Sequence, residues 1–184
     1  MKTLNQLYLV KIDNISDPFL SKVEQTYMEA FPPNERRDFE LAKGLIVSET
    51  AFNLYIFIRE GEYVGFITTW SFESFLYVEH FAIDASQRSG GIGSKALELL
   101  IQETTLPIVL EVELPLDDMA KRRIQFYERL AFTYHNYLYQ QPPYAVGQEW
   151  VELRFMTYNP THIKLDLDVV KACLYRSVYC VPEL

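Results

Sequence analysis

The stretch Gln87-Arg88-Ser89-Gly90-Gly91-Ile92-Gly93-Ser94 joins two segments with different periodicities. Before it, FLYVEHFAI at 75–83 has the aromatic and β-branched content of a strand. After it, in GIGSKALELLIQE at 91–103, Ile92, Ala96, Leu99 and Leu100 fall on one stripe at i, i+4, i+7 and i+8, the period of an amphipathic helix. The junction is therefore strand, glycine-rich loop, helix. Glycines allow a tight turn and let a ligand approach the backbone without meeting a Cβ. The unpaired N–H groups of a first helical turn, with the positive end of the helix dipole, favour an anion. Arg88 adds a cation, and a pyrophosphate is the natural guest.

Working upstream, residues 63–72 (YVGFITTWSF) and 52–59 (FNLYIFIR) flank the turn Glu60-Gly61-Glu62, a hairpin signature. Asn34 is expected to cap a helix through ERRDFELAKGLIVSE, and Phe31-Pro32-Pro33 to stop an earlier one. That earlier helix runs from the N-cap Asp17 and Pro18 to Ala30, behind a first strand at 5–12. Downstream come a strand at 108–113 (IVLEVE), a helix from Asp117 to Leu130, and closing strands near 132–140 and 149–158. Residues 1–158 thus read as one mixed α/β layered domain. Residues 159–184 form a C-terminal extension, expected to pack on the domain with a short helix around Asp168–Tyr175.

Length and composition agree with one domain. The chain has 184 residues, 49% hydrophobic and 23% charged, which excludes disordered and fibrous classes. No apolar run reaches the roughly 18 residues of a membrane span, and the N-terminus reads as a strand, not a signal peptide. A formal charge of −8 argues against nucleic acid as a general partner and suits cationic ones. Cys173 and Cys180 are too few for a disulfide scaffold, and His80, His135 and His162 are not spaced as metal ligands. Unpaired thiols in a reducing cytoplasm and a protein without a metal are the expectation.

The loop fits several phosphate motifs unequally. It is not a Walker A loop, because no glycine lies five positions before a Gly-Lys-Ser/Thr triplet. Gly91-Ile92-Gly93-Ser94-Lys95-Ala96 satisfies G-x-G-x-x-A, but that fingerprint belongs on the first βα turn of a parallel sheet, not after a three-strand meander. Arg88-Ser89-Gly90-Gly91-Ile92-Gly93 is R-x-x-G-x-G, and it resembles the acetyl-CoA pyrophosphate loop of the GNAT family of N-acetyltransferases. Val78–Asp84 resembles that family's fourth strand. Gln125-Phe126-Tyr127-Glu128-Arg129-Leu130-Ala131-Phe132 resembles its F-Y-x-x-x-G-F motif, with Ala131 where the family usually has glycine. The resemblance covers residues 1–158 and leaves the tail unexplained.

The resemblance implies a mostly antiparallel sheet of about seven strands and about four helices, whose fourth and fifth strands splay apart. It implies that acetyl-CoA is the acyl donor. Its pantetheine arm would lie against main-chain groups of Phe81, Ala82 and Ile83, one of whose N–H groups polarises the thioester carbonyl. Its pyrophosphate would sit on Arg88, Ser89, Gly90, Gly91, Ile92, Gly93 and Ser94. Tyr127 would protonate the departing thiolate, a phenol of pKa about 10 serving a thiol of about 8.5. By spacing alone Tyr127 reads as a core residue, sharing a helical stripe with Ala120, Ile124 and Ala131, and the resemblance reverses that preference.

A general base must take the proton from an attacking ammonium. Glu79 is the first candidate, mid-strand and on one face with Phe81 and Ile83, with His80 turned to the opposite face. Glu111 and Glu113, sharing a face of the next strand, are alternatives. The acceptor side implied by the resemblance is Phe31–Arg37, including Glu35, Arg36 and Arg37, and Gln140–Tyr144. Tyr139, Tyr144 and Trp150 are candidate pocket walls. The acceptor is expected to be a small-molecule amine or an exposed lysine or N-terminal amine of a peptide, and exposed aromatics would suit a homodimer. A rival function is a catalytically silent acyl-CoA-binding module. A remoter one is a nucleotide-binding domain.

Overall fold

Aspartates start three of the helices in the computed structural model, which describes residues 6–88 and 90–181. The side chain of Asp38 accepts from the backbone N–H groups of Glu40 and Leu41, opening α2 (Phe39–Ser48). Asp117 does the same for α4 (Asp118–Glu128), accepting from Ala120, and Asp166 for α5 (Leu167–Cys173), accepting from Asp168. Asn34 was the expected cap of the second helix. It lies instead in a short 3₁₀ turn, Pro33–Glu35, because Pro32 and Pro33 favour an extended or tightly turned backbone there. The first helix, α1 (Leu20–Ala30), begins later than Pro18, and Asp17 accepts the Phe19 N–H in the turn before it. Its C-terminal end is closed by Arg36, which donates to the carbonyls of Met28 (3.3 Å) and Phe31.

The strands are β1 (Leu7–Ile12), β2 (Phe52–Arg59), β3 (Glu62–Ser71), β4 (Leu76–Ile83), β5 (Ile108–Glu113), β6 (Thr133–Tyr134), β7 (Tyr139–Gln141) and β8 (Val151–Tyr158). They form one eight-stranded sheet in the order β1-β2-β3-β4-β5-β8-β6, with β7 also on β8. The strand expected at 132–140 is interrupted, and its two short pieces pair with opposite ends of β8. All pairings are antiparallel except β4 with β5. That pair lasts only from Leu76↔Ile108 to Val78↔Leu110. Beyond Val78 the two strands diverge.

Each sheet face carries its own core. On one, α1, α2 and the tail bury Val23, Tyr27, Phe39, Trp70, Tyr77, Val170, Leu174 and Val178. On the other, α3 (Ile92–Glu103) and α4 bury Ile92, Ala96, Leu97, Leu100, Ile124 and Tyr127. Leu97, not Leu99, completes the deep stripe of α3, and Leu99 packs at its margin. The tail runs through α5 into a wide π turn, Leu174–Val178, and Val170 and Leu174 are fully buried.

Ala131 has φ +64°, in the left-handed region that disfavours a Cβ. The backbone turns there because the N–H of Phe132 returns to the Tyr127 carbonyl (3.1 Å), closing α4. Ala131→Gly is therefore expected to stabilise the chain by about 1 kcal/mol. Differential scanning calorimetry should show a melting temperature about 2–4 °C higher.

Candidate active site

The parting of β4 and β5 opens a cleft of about 450 Å³ through the sheet, lined by Glu35, Val78–Ile83, Arg88, Leu110–Glu113, Tyr127 and Tyr144 among others. A β-bulge on β4 accompanies it. Thr69 pairs with Val78 and Thr68 with His80, so Glu79 is an extra residue with no partner across the ladder. The bulge shifts the alternation by one residue and turns Glu79 and His80 to the same face, that of α1, α2 and the tail. This corrects the expected opposition of those two side chains. Phe81 and Ile83 go to the α3/α4 face. The edge of β4 beyond Val78 that faces β5 has no strand partner, so its main-chain groups are available to a ligand.

Gly65 lets β3 press against the opposite edge of β4. A Cβ there would overlap the Ala82 carbonyl oxygen and stand 2.9 Å from Ile83 Cα. An isolated glycine inside the strand run YVGFITTW is the signal that points to such an approach.

Glu79, expected as a free base, is instead fully engaged. Oε1 accepts from Arg37 Nη2 (2.9 Å) and Nε (3.2 Å) and from the Tyr144 hydroxyl (3.1 Å), and Oε2 accepts from Trp70 Nε1 (2.8 Å). Its side chain is 1% exposed. Burial pushes its carboxyl up, but the Arg37 guanidinium and these donors outweigh that and hold it below the ordinary carboxylate range. A carboxylate held this way is a weak base. His80 is buried and neutral, its Nε2–H donating to the Glu35 carbonyl (3.0 Å).

Glu111, on β5, has the opposite environment. Burial dominates, and it raises the carboxyl to about 7 against hydrogen bonding from Tyr139, Tyr77 and Tyr179. The Tyr179 hydroxyl donates to Oε2 (3.0 Å), while Oε1, buried at the cleft, has no hydrogen bond of ordinary geometry. Glu113 pairs with Arg123 at the mouth, beside Glu35, whose carboxyl is raised by burial and by Glu113.

Tyr127 enters the cleft from α4 on the other face, and burial raises its phenol to about 12. At the glycine-rich loop, Gly90 (φ +63°) and Gly91 (φ +73°) are both left-handed, and Gly91 caps α3. A shallow pocket there is lined by Ile83, Arg88, Gly90–Ser94, Phe126 and Arg129. Arg88 Nε donates to the Ile83 carbonyl (2.9 Å), tying loop to strand. Ser89 lies outside the described residues. Main-chain donors, two arginines and an open strand edge fit a pyrophosphate carried on an amide-rich arm.

Of the expected pocket walls, Tyr144 lines the cleft, as does the acceptor-side candidate Glu35, while Tyr139 faces Glu111 from behind. Trp150 lies against Tyr175 of the tail. Arg36 serves the end of α1, and Arg37 serves Glu79. Tyr77 and Tyr179 were not foreseen. Among the described residues there is no cluster of three metal-ligating side chains, and no helix is long and apolar enough to cross a membrane.

Comparison with known proteins identifies the family and the fold. The family model for the acetyltransferase (GNAT) family matches residues 18–132. A GNAT-family protein from Bacteroides thetaiotaomicron superposes with a TM-score of 0.89 at 35% identity, over 95% of this chain and 99% of that one. The ribosomal-protein-S18-alanine N-acetyltransferase from Escherichia coli (TM-score 0.60, 16% identity, 87% of this chain and 100% of that one) shares the fold. So does an Elizabethkingia anophelis GNAT acetyltransferase with acetyl-CoA bound (0.59, 14%, 83% and 97%). No curated protein matches. With a family model spanning most of the domain and a solved relative superposing over nearly the whole chain, this protein belongs to the GNAT acetyltransferase family.

Proposed function

We propose that the chain transfers an acetyl group from acetyl-CoA to a primary amine by direct attack, with Glu111 as general base and Tyr127 as general acid. One observation carries this reading: a buried carboxylate in the cleft, raised to about 7, with one oxygen lacking a partner. A base with a pKa near the working pH combines a useful ionised fraction with real proton affinity. Bound in the cleft, acetyl-CoA supplies an activated thioester carbonyl. Arg88 and the Ser89–Ser94 loop hold its pyrophosphate, and main-chain groups of Phe81–Ile83 hold its amide arm. A backbone N–H on that open edge stabilises negative charge developing on the carbonyl oxygen.

The cleft passes through the sheet, so the two proton transfers are kept on opposite faces. Tyr127 keeps its proton throughout the neutral range and gives it to the departing thiolate. Glu111 takes the proton of the amine from the other face. Glu79 does not move a proton in this scheme. Held ionised by Arg37, it positions Tyr144 and orders the acceptor wall. Glu35, Glu111 and Glu113 make the cleft acidic and favour a cationic acceptor, either a small amine or a lysine or N-terminal amine of a peptide. Cys173 and Cys180 are free thiols, as suits the cytoplasm.

Thiol release across a panel of amines tests the reaction. Cationic amines should release thiol and anionic acceptors should not. Acetyl-CoA binding without turnover on any amine would leave only a binding module. Gly91→Val should sharply weaken acetyl-CoA affinity by calorimetry, since its φ of +73° is hostile to a branched Cβ and the ligand must approach that backbone. Unchanged affinity would remove the loop assignment. Tyr127→Phe should cut turnover about 10²–10⁴-fold while leaving acetyl-CoA affinity in place. Full activity would return Tyr127 to the core alone.

Glu111→Gln should cut turnover to a similar degree. In the parent, kcat/KM should rise with pH through about 7, because below that pH Glu111 carries a proton and cannot accept another. This limb should disappear in the variant. A variant with parental rate and pH profile would eliminate Glu111 as the base.

A further inference from the structure

The tail is joined to the reacting region by polar contacts as well as by packing. From the π turn after α5, Tyr179 reaches back across the sheet. Its hydroxyl donates to Glu111 Oε2 (3.0 Å) and lies 3.0 Å from the Tyr77 hydroxyl. One residue earlier, the carbonyl of Val178 accepts from Arg37 Nη2 (2.6 Å), the guanidinium that also holds Glu79. Tyr144 packs on the Tyr179 ring at 5.2 Å between centroids, and the Arg37 guanidinium sits 4.8 Å from the Tyr144 ring centroid. The tail is thus fastened at the two carboxylates of the cleft, although residues 159–184 lie beyond the segment that the family model matches.

The chemistry of these contacts is asymmetric. A carboxylate with both oxygens free in a buried site could rotate and present either one. The Tyr179 hydroxyl occupies Oε2, which leaves Oε1, buried in the wall of the cleft, as the oxygen without a hydrogen-bond partner. A donor on Oε2 also favours the ionised form of Glu111 over the protonated form. The other ionisable groups facing Glu111 are Tyr77 and Glu79 from β4, Tyr139 from β7, Tyr144 from the β7–β8 connection, and Tyr175 from the tail. The tyrosines are all raised above their ordinary range by burial and so are neutral, and Glu79 is balanced by Arg37. Hydroxyl donors therefore oppose the burial that raises Glu111, and the tail brings one of them.

We propose that Tyr179 is a positioning residue for the acetyl transfer, fixing Glu111 through Oε2 so that the unpartnered Oε1 is the oxygen left to take the proton, and that the C-terminal extension is consequently a working part of the active site. The inference rests on Glu111 being the base. It requires no group beyond those in the chain, since Tyr179 keeps its own proton throughout.

The test is the pH dependence of kcat/KM for Tyr179→Phe, which keeps the ring and its packing and deletes the donor. The midpoint of the acidic limb should move up by about one pH unit, the effect of removing one hydrogen bond from a charged group. Turnover well above the new midpoint should recover to within a few-fold of the parent, and acetyl-CoA affinity should be unchanged. Tyr175→Phe is the control for tail docking. It loses a bond to the Gln140 carbonyl (2.6 Å) on the same tail, and its midpoint should stay at the parental value. A uniform loss of rate in Tyr179→Phe without a shifted midpoint would reduce Tyr179 to a packing residue and overturn the proposal, as would an equal shift in Tyr175→Phe. Measured beside them, Glu111→Gln separates the two claims. If it loses the acidic limb while Tyr179→Phe keeps the parental midpoint, only the role of Tyr179 fails. If it keeps the limb, the base assignment fails and this inference with it.

Discussion

β4 and β5 are hydrogen-bonded at only three register positions, and the site depends on where that pairing stops. A parallel pair continued to Ile83 would satisfy the strand edge and leave no room between the strands. The bulge at Glu79 marks the end of pairing, twisting β4 while β5 stays in register with β8 through Glu113. Beyond it β4 offers main-chain donors and acceptors to a ligand, and the opening joins the two sheet faces. Gly65 supports the arrangement from behind, because β3 can follow β4 closely only where no Cβ intervenes. The open edge and the passage between faces are linked consequences of this one divergence.

Within the opening, two glutamates of the same face are driven in opposite directions. Burial penalises both, yet Glu79 has a guanidinium and two further donors, whereas Glu111 has only neutral hydroxyls. The difference decides their uses. Removing one partner of a buried ion pair costs on the order of 3–5 kcal/mol, so the Arg37–Glu79 pair is structural in effect and ties β4, the α1–α2 connection and the tail together. Glu111 has no such counter-charge. Burial therefore raises its carboxyl to about 7, much closer to neutral pH than an ordinary carboxylate.

Much of the architecture was legible in the sequence because it rests on local chemistry. The period of 91–103, the hairpin turn at 60–62 and the helix beginning at Asp117 each rest on patterns within a few residues, and each element stands where its pattern points. The glycine turn ahead of α3 and the place of Tyr127 on α4 were legible for the same reason, as short motifs at fixed spacing. Asn34 misled because capping depends on the backbone around it, and the two prolines before it divert the chain until Asp38. The orientation of His80 misled because strict alternation holds only in an unbulged strand, and nothing in VEHFAI announces the extra residue. The fate of Glu79 was hidden differently. Its guanidinium comes from 42 residues away, and the hydroxyl on Glu111 from 68 residues away, through a tail whose local pattern reveals only a short helix.

The contrast between the two glutamates is the central claim, and it can be measured without turnover. Carbon-detected NMR of the glutamate side-chain carboxyls across a pH titration, with Glu111→Gln and Glu79→Gln used to assign the two resonances, reads each ionisation directly. The account predicts a midpoint near 7 for Glu111, and for Glu79 a carboxyl that stays ionised down to below the ordinary glutamate range. Glu111 titrating at an ordinary carboxylate value, or Glu79 titrating above it, would contradict the account.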